Sequence, residues 1–153
     1  SRSSAASDVY KRQAEELSGL FCFTLVRNPW DRVASYYRWL RGQGFDHPAV
    51  ALAKSEDFAG FLRHPQTRES LRAWPARRYM QDAAGRERCD LYIRLEHFAE
   101  DAAPLFDHLG FELSLPRVNA SEGVAAYTPE LRDIVADICA EDIALFGYVY
   151  QEH

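Results

Sequence analysis

The chain has no long apolar run and few cysteines, and each shortage excludes a class of protein. No apolar stretch approaches the ~20 residues that a membrane-spanning helix needs. The three cysteines, Cys22, Cys89 and Cys139, lack the spacing of zinc ligands, and their odd number does not fit a disulfide framework. We therefore expect reduced thiols in apolar surroundings, no metal and no transmembrane segment.

Charge and composition indicate which kinds of globular protein the chain resembles. The net charge of −5 argues against non-specific binding of nucleic acid. It does not exclude an anionic ligand, because local arginines set the local potential. A hydrophobic content of 47% over 153 residues is typical of a globular domain with its own core. The start of the chain lacks a signal-peptide pattern, and we expect a cytoplasmic location.

The first residues form a segment of their own. Residues 1–13, SRSSAASDVYKRQ, show neither helical nor strand periodicity and look like the linker sequence found at the ends of conceptual gene translations. We predict a non-native or disordered tail, with an ordinary flexible terminus as the alternative. Residues 14–153 are then predicted to form a single domain.

The most informative pattern lies between Phe21 and Leu40. Phe21–Val26 is apolar, β-favouring and uncharged, which predicts a short strand buried on both faces. Pro29 suits the first position of a following helix. The apolar side chains of that helix recur at the spacing of one buried face: Val33, Tyr36, Tyr37 and Leu40. Arg27 therefore falls where a buried strand becomes a helix, a position at which α/β proteins bind anions.

The remainder of the chain predicts mostly helices. Between residues 42 and 88 we expect short helices, the second of them capped by Ser55–Asp57. The five arginines of this region favour solvated surface charges, with an anionic or sugar acceptor as the alternative: Arg63, Arg68, Arg72, Arg77 and Arg78. His47 and His64 are poor candidates for a general base. The alternation in Leu91–Leu95 predicts a second strand.

After the second strand, a helix should break near Pro104 and end at Gly110. Thr128 and Pro129 then open one long last helix. Its predicted buried stripe contains Leu131, Ile134, Val135, Ile138 and Leu145. Asp142 falls on the same stripe, so we expect it to contact an arginine or a backbone donor.

The segment from Val26 to Tyr37, V-R-N-P-W-D-R-V-A-S-Y-Y, resembles the 3′-phosphate-binding segment of sulfotransferases that use phosphoadenosine phosphosulfate (PAPS). The carbohydrate-type branch carries V-R-N-P-W/Y-D-R-x-x-S-x-Y. In that family the arginine and the later serine hold the 3′-phosphate, which assigns this role to Arg27 and Ser35. Weaker similarities follow in the family's order: R-L-E at 94–96, N-A-S at 119–121 and D-x-x-x-F-G-Y at 142–148.

The resemblance implies a helix-rich α/β chain with the P-loop-NTPase-like, three-layer sulfotransferase fold. It implies PAPS as cosubstrate, no metal, and an acceptor hydroxyl on a carbohydrate. The family also uses a strand followed by a K-T-G/A-G-T-S-type loop, which holds the 5′-phosphosulfate and supplies a catalytic lysine. This sequence contains no such segment. We therefore expect a partial domain, an uncovered sheet edge and apolar face, and a lysine and base that lie upstream, so no catalytic residue is assigned and the chain is expected to be an inactive fragment.

Several alternatives remain open at this point. The pattern around Arg27 also fits a generic strand and helix in which Asp31 pairs with Arg27 or Arg32. A small kinase of P-loop type would need a GxxxxGK[ST] segment, and a non-catalytic binding domain would need neither loop. For Arg94 and Glu96 we favour a structural ion pair over a place near the nucleotide.

Overall fold

The computed structural model describes residues 2–116 and 126–152. The described chain is a helix-rich α/β structure with one two-stranded parallel sheet. Its strands are β1 (Phe23–Val26) and β2 (Leu91–Arg94). Its helices are α1 (Arg2–Ser18), α2 (Pro29–Arg41), α3 (Pro48–Ser55), α4 (Phe58–Arg63), α5 (Pro65–Ala73), α6 (Ala76–Tyr79), α7 (Phe98–Asp101), α8 (Ala103–Leu109), α9 (Pro129–Ile138) and α10 (Ala140–Phe146), with a 3₁₀ turn at Leu95–His97.

The chain divides into two compact units. The sheet unit combines Ser1–Val26 with Ala76–Ser114, and the helical unit combines Arg27–Pro75 with Leu115–His153. Each unit draws on two separate stretches of sequence. The expected single domain over residues 14–153 stays a prediction.

In the sheet unit, β1 and β2 pair in parallel, with Phe23 opposite Leu91 and Val26 opposite Arg94. Ile93 is fully buried and packs against Ala102 and Leu105. The parallel pairing requires a crossover connection, and the intervening chain supplies it. The second strand predicted from the alternation in Leu91–Leu95 is confirmed, ending one residue earlier than the pattern.

The prediction that the first strand is buried on both faces is wrong. Phe23 and Leu25 are each 42% exposed, although Leu25 lies opposite the buried Ile93. The side chains that cover Ile93 of β2 do not extend over Phe23 and Leu25 of β1. In a sheet of two strands, each strand is an edge strand. An apolar composition indicates a strand but cannot report which of its faces receives a partner. The expected uncovered apolar face is present in the described part of the chain.

Arg94 forms an ion pair with Asp101. Its Nε lies 2.7 Å from Asp101 Oδ2 and its Nη2 lies 3.0 Å from Oδ1, a bidentate ion pair. The backbone N–H of Arg94 also donates to Asp101 at 3.0 Å. The 3₁₀ turn and the short α7 bring Asp101 back to the strand end. An ion pair between Arg94 and Glu96 stays a prediction. The helix breaks after Asp101, as expected, and Gly110 ends α8 with φ of 79°.

The helical unit is built around α2. Pro29 is its first residue, and Val33, Tyr37 and Leu40 are buried on one face, as the spacing predicted. Tyr37 and Leu40 pack with residues of the next two helices: Val50, Ala53 and Phe61. Helix α4 begins after Asp57, whose Oδ1 accepts a hydrogen bond from Gly60 N at 2.7 Å.

The last helix is two helices. Thr128 caps α9 through a hydrogen bond from Leu131 N at 3.3 Å, as predicted. The helix then breaks at Cys139, whose ψ of 20° departs from helical geometry, and α10 begins at the next residue. Leu145 consequently leaves the predicted stripe and is 50% exposed, so that prediction is wrong.

Helix α1 covers most of the segment predicted to lack regular structure. Residues 5–12 of this helix are all exposed. The segment has no proline, and its alanines, arginines and lysine are good helix formers. A helix can therefore form without the apolar stripe that periodicity detects. That the segment is non-native stays a prediction.

Within residues 2–116 and 126–152, no helix has both the length and the apolar content to cross a membrane.

We predict opposite effects of one substitution at two threonines of the helical unit. The buried Oγ1 of Thr67 finds no hydrogen-bond partner among the described residues, whereas Thr128 uses its hydroxyl as a helix cap. Thr67→Val should raise the free energy of unfolding by about 1 kcal/mol, because an unsatisfied buried hydroxyl is costly. Thr128→Val should lower it by about 1 kcal/mol. Urea denaturation measures both, and a destabilised Thr67→Val would contradict the first expectation.

A second prediction concerns pH and the Arg94–Asp101 pair. The hydrogen bond from the Arg94 side chain lowers the pKa of the Asp101 carboxyl below its ordinary value. A carboxyl with a depressed folded pKa contributes stability above its unfolded pKa of about 4 and loses it as the pH falls through the folded pKa. Asp101→Asn should therefore lower the free energy of unfolding by about 1.5–3 kcal/mol at pH 7.

The difference from wild type should shrink as the pH falls below about 4. Asp107→Asn is the matched control, because it removes an exposed carboxylate of the neighbouring α8. A stability gap for Asp101→Asn that stays constant from pH 7 to pH 3 would show that the ion pair is not its cause.

Candidate anion-binding site

The first turn of α2 is fixed by Asn28, which is only 6% exposed. Its Oδ1 accepts a hydrogen bond from Trp30 N at 3.1 Å, which caps the helix. Its Nδ2 donates to the carbonyl oxygen of Val149 at 3.0 Å. The buried amide of Asn28 therefore sets the start of α2 and holds this start against the C-terminal segment. The backbone of the preceding residue, Arg27, is held in place by the same contacts.

Arg27 and Ser35, the two residues singled out by the sequence pattern, lie in direct contact. Arg27 Nη1 donates to Ser35 Oγ at 3.1 Å across a separation of eight residues. Ser35 lies nearly two turns into α2, so the arginine side chain runs back along the flank of the helix. Both side chains are half-buried. Within the described part of the chain, no carboxylate forms an ion pair with Arg27.

A second guanidinium reaches the same serine. Arg38 Nη2 lies 3.4 Å from Ser35 Oγ, and Arg38 is also half-buried. Sequence reasoning missed this residue. The signal was available, because residues three apart on a helix share a face, and Ser35 and Arg38 have that spacing. Arg27, Ser35 and Arg38 are called the serine cluster below.

Tyr127 contacts the first turn of α2. Tyr127 donates its hydroxyl hydrogen to the carbonyl oxygen of Trp30 at 2.8 Å. Burial, chiefly, raises the pKa of Tyr127 far above its ordinary value; the Asp31 charge adds to this rise and the Arg38 charge opposes it. The phenol therefore stays protonated at neutral pH and does not compete with a ligand as an anion.

Asp142 contacts an arginine, as predicted. It is 5% exposed, and its Oδ2 lies 3.8 Å from Arg32 Nη2. The same Arg32 nitrogen lies 3.9 Å from Cys139 Sγ. Burial raises the pKa of the Cys139 thiol, and the nearby Arg32 charge only partly offsets this. The pair borders a cavity of about 180 Å³ in the helical unit. Among the described residues, the carboxylate that pairs with Arg32 is therefore Asp142. The alternative of a generic strand and helix had paired Asp31 with Arg27 or Arg32.

The other sequence candidates have structural partners. Arg63 pairs with Glu130 at 2.6 Å, and Arg72 pairs with Asp137 at 2.6 Å. In the sheet unit Arg77 pairs with Glu87 at 3.0 Å.

The two histidines considered as bases are helix caps. The Nδ1 atoms of His47 and His64 accept hydrogen bonds from Ala49 N and Gln66 N, which fixes each ring at a helix start. The N-A-S segment, Asn119 to Ser121, lies outside the described residues. All three cysteines are free, and Cys139 is buried. Among the described residues, no cluster of three or more His, Cys, Asp or Glu side chains could hold a metal ion.

Comparison with family models gave no match to this chain, and neither the curated proteins nor the solved structures contain a significant relative.

Proposed function

We propose that this chain provides the 3′-phosphate-binding part of a PAPS-dependent sulfotransferase, which moves a sulfuryl group to an acceptor hydroxyl on a carbohydrate. One observation supports this most directly: Arg27 Nη1 lies 3.1 Å from Ser35 Oγ. The resemblance pairs these two residues on the same phosphate, and their contact brings both groups within reach of one ligand. A cytoplasmic location and the carbohydrate class of the acceptor stay predictions.

The chemistry of the pair suits a phosphate group. A guanidinium presents five N–H donors in a planar fork and stays charged at every physiological pH, and serine adds a hydroxyl donor. Hydrogen bonds from charged donors to phosphate oxygens are about twice as strong as neutral ones. The Asn28 cap holds the backbone beside Arg27, so little further ordering is needed on binding.

In the proposed reaction the bond between sulfur and the bridging phosphate oxygen breaks while a new bond forms between sulfur and the acceptor oxygen. The acceptor proton passes to a base, and adenosine 3′,5′-bisphosphate leaves. Arg27 and Ser35 bind and orient the nucleotide through its 3′-phosphate, remote from the reacting sulfur. Their contribution is therefore to positioning, which accelerates a transfer between two bound groups.

The proposal includes the P-loop-like, three-layer fold. The parallel pairing of β1 with β2 through a long crossover supports it, because such sheets carry helices between their strands. In the sequence, Arg27 comes directly after the last residue of β1.

Calorimetry with adenosine 3′,5′-bisphosphate tests the site. Arg27→Ala should weaken binding by about 1.5–3 kcal/mol, because a charge-assisted contact is lost, and Ser35→Ala by about 1 kcal/mol. Arg63→Ala and Ser55→Ala remove the same groups from exposed positions of the helical unit and should leave the affinity unchanged. Unchanged affinity in both site variants would contradict the assignment of Arg27 and Ser35 to the 3′-phosphate site. Binding of inorganic phosphate with no preference for the nucleotide would instead favour a non-catalytic anion-binding domain.

Activity of this stretch of sequence gives a separate test. Residues 14–153 contain no K-T-G/A-G-T-S-type loop, so we expect little or no sulfate transfer from labelled PAPS to any acceptor, even where the nucleotide binds. A version of the protein that carries such a loop should transfer sulfate. Robust transfer by residues 14–153 alone would contradict the expected role of that loop.

A further inference from the structure

Four aromatic side chains of the helical unit contact one another in series. They are Tyr36 and Trp39 of α2, Phe45 of the following loop, and His47 at the start of α3. The ring centroids of Tyr36 and Trp39 lie 6.2 Å apart, with an interplanar angle of 18°. Trp39 lies 6.1 Å from Phe45, and Phe45 lies 6.3 Å from His47. These four residues are called the aromatic strip below.

The middle of the aromatic strip is open to solvent. Trp39 is 53% exposed and Phe45 is 49% exposed, so two large rings in contact lie at the surface. Single exposed apolar residues are common, whereas contiguous ones mark surfaces that bind a ligand or a partner. The contacts within the strip hold the rings in place, which lowers the ordering cost of binding.

The two ends of the aromatic strip border one cavity. Tyr36 and His47 both line a cavity of about 60 Å³ in the helical unit. Three polar residues of α5 also line it: Gln66, Thr67 and Ser70. An apolar cavity of ~150 Å³ admits a benzene ring, so the smaller cavity suits a substituent of a ring, such as a hydroxymethyl group.

The polar groups around this cavity are neutral. Among the described residues that line it, none is a lysine, arginine, aspartate or glutamate. The Nδ1 atom of His47 accepts a hydrogen bond from Ala49 N at 3.1 Å, so the hydrogen of the neutral ring lies on Nε2. Gln66 offers both a donor and an acceptor, and Ser70 offers a hydroxyl. The complementary ligand is therefore uncharged and carries hydroxyl or amide groups.

The exposed rings and the neutral polar groups together indicate the class of ligand. A purely apolar partner would leave the polar groups of the cavity without hydrogen bonds, which costs free energy. A nucleotide or an acidic peptide would bring charge that the lining does not balance. A pyranose ring has a face of C–H groups, which packs on the negative face of an aromatic ring, and a rim of hydroxyl groups. A saccharide therefore matches both parts of the surface.

We infer that the aromatic strip and the adjoining cavity bind a neutral saccharide. Its ring packs on Trp39 and Phe45, and one substituent enters the cavity beside His47 and Gln66. The role of this saccharide as the sulfate acceptor rests on the proposed function, whereas its binding rests on the strip and the cavity. The strip shares α2 with the serine cluster but uses different residues.

Saturation-transfer NMR on the 153-residue chain tests the site. The probes are three neutral disaccharides, lactose, cellobiose and N,N′-diacetylchitobiose, together with adenosine, which stacks on aromatic rings but has a nucleobase. The variants are Trp39→Ala, Trp39→Phe, Gln66→Leu and Trp74→Ala. Trp74 is 45% exposed and belongs neither to the strip nor to the lining of the cavity, so Trp74→Ala is the matched control. Circular dichroism establishes that each variant is folded.

At least one disaccharide should bind the wild-type chain with a Kd of about 1 mM or lower. Trp39→Ala should weaken this binding about tenfold, because the sugar ring loses its aromatic partner. Trp39→Phe should retain part of the affinity, since it keeps an aromatic face. Gln66→Leu should weaken binding about fivefold, the loss of one neutral hydrogen bond. Trp74→Ala should bind like the wild type.

Three results would overturn the inference. The first is that no disaccharide binds at concentrations up to about 10 mM, or that Trp39→Ala binds as well as the wild type. The second is binding of adenosine, but of no disaccharide, that Trp39→Ala abolishes, which assigns the strip to a nucleobase. The third is a dimer, detected by light scattering, that Trp39→Ala dissociates, which assigns the strip to a second copy of the chain.

Binding of adenosine 3′,5′-bisphosphate separates this site from the proposed function. A chain that binds a disaccharide through Trp39 but does not bind the bisphosphate supports the saccharide site and contradicts the proposed function. A chain that binds the bisphosphate through the serine cluster but binds no disaccharide overturns the saccharide site and leaves the nucleotide site standing.

Discussion

The buried amide of Asn28 is the contact on which the rest of the candidate site depends. Its oxygen caps α2 and its nitrogen holds the carbonyl of Val149, so one side chain satisfies two backbone groups. A buried amide with both ends used cannot rotate without leaving a polar group unsatisfied. The backbone on either side of Asn28 is therefore held in place, and this sets the point from which the Arg27 side chain extends.

The two units differ in how completely they bury their apolar side chains. In the helical unit, α2 buries Tyr37 and Leu40 against α3 and α4. In the sheet unit, Ile93 is covered, yet Phe23 and Leu25 of the neighbouring strand remain largely open. The apolar face of β1 is thus the least protected part of the described sheet, and an open strand edge of this kind invites association with other chains.

The chain has a net charge of −5, but the surroundings of each arginine depend on its neighbours in the fold. Several arginines that look available in the sequence have carboxylate partners, as in the Arg94–Asp101 and Arg63–Glu130 pairs. Arg27 differs, because its contact in the described residues is a neutral hydroxyl. That contrast distinguishes a candidate ligand-binding arginine from arginines that stabilise the fold.

The sequence alone determined the features that depend on neighbouring residues. The Pro29 start of α2, the break before Pro104, the left-handed Gly110 and the Thr128 cap all follow from local backbone chemistry, and all are confirmed. The spacing of Arg27 and Ser35 could also be read from the sequence, because Ser35 lies on α2 and Arg27 precedes Asn28, the cap of that helix.

Only the tertiary structure decided which distant groups meet. It gave Arg94 the carboxylate of Asp101, broke the last helix at Cys139 so that Leu145 is exposed, and left the face of β1 uncovered. It also brought Arg38 to Ser35 Oγ, where a side-chain rotamer, and not the helical spacing alone, makes the contact. Burial and partner choice depend on residues far apart in sequence, and a local pattern carries no information about them.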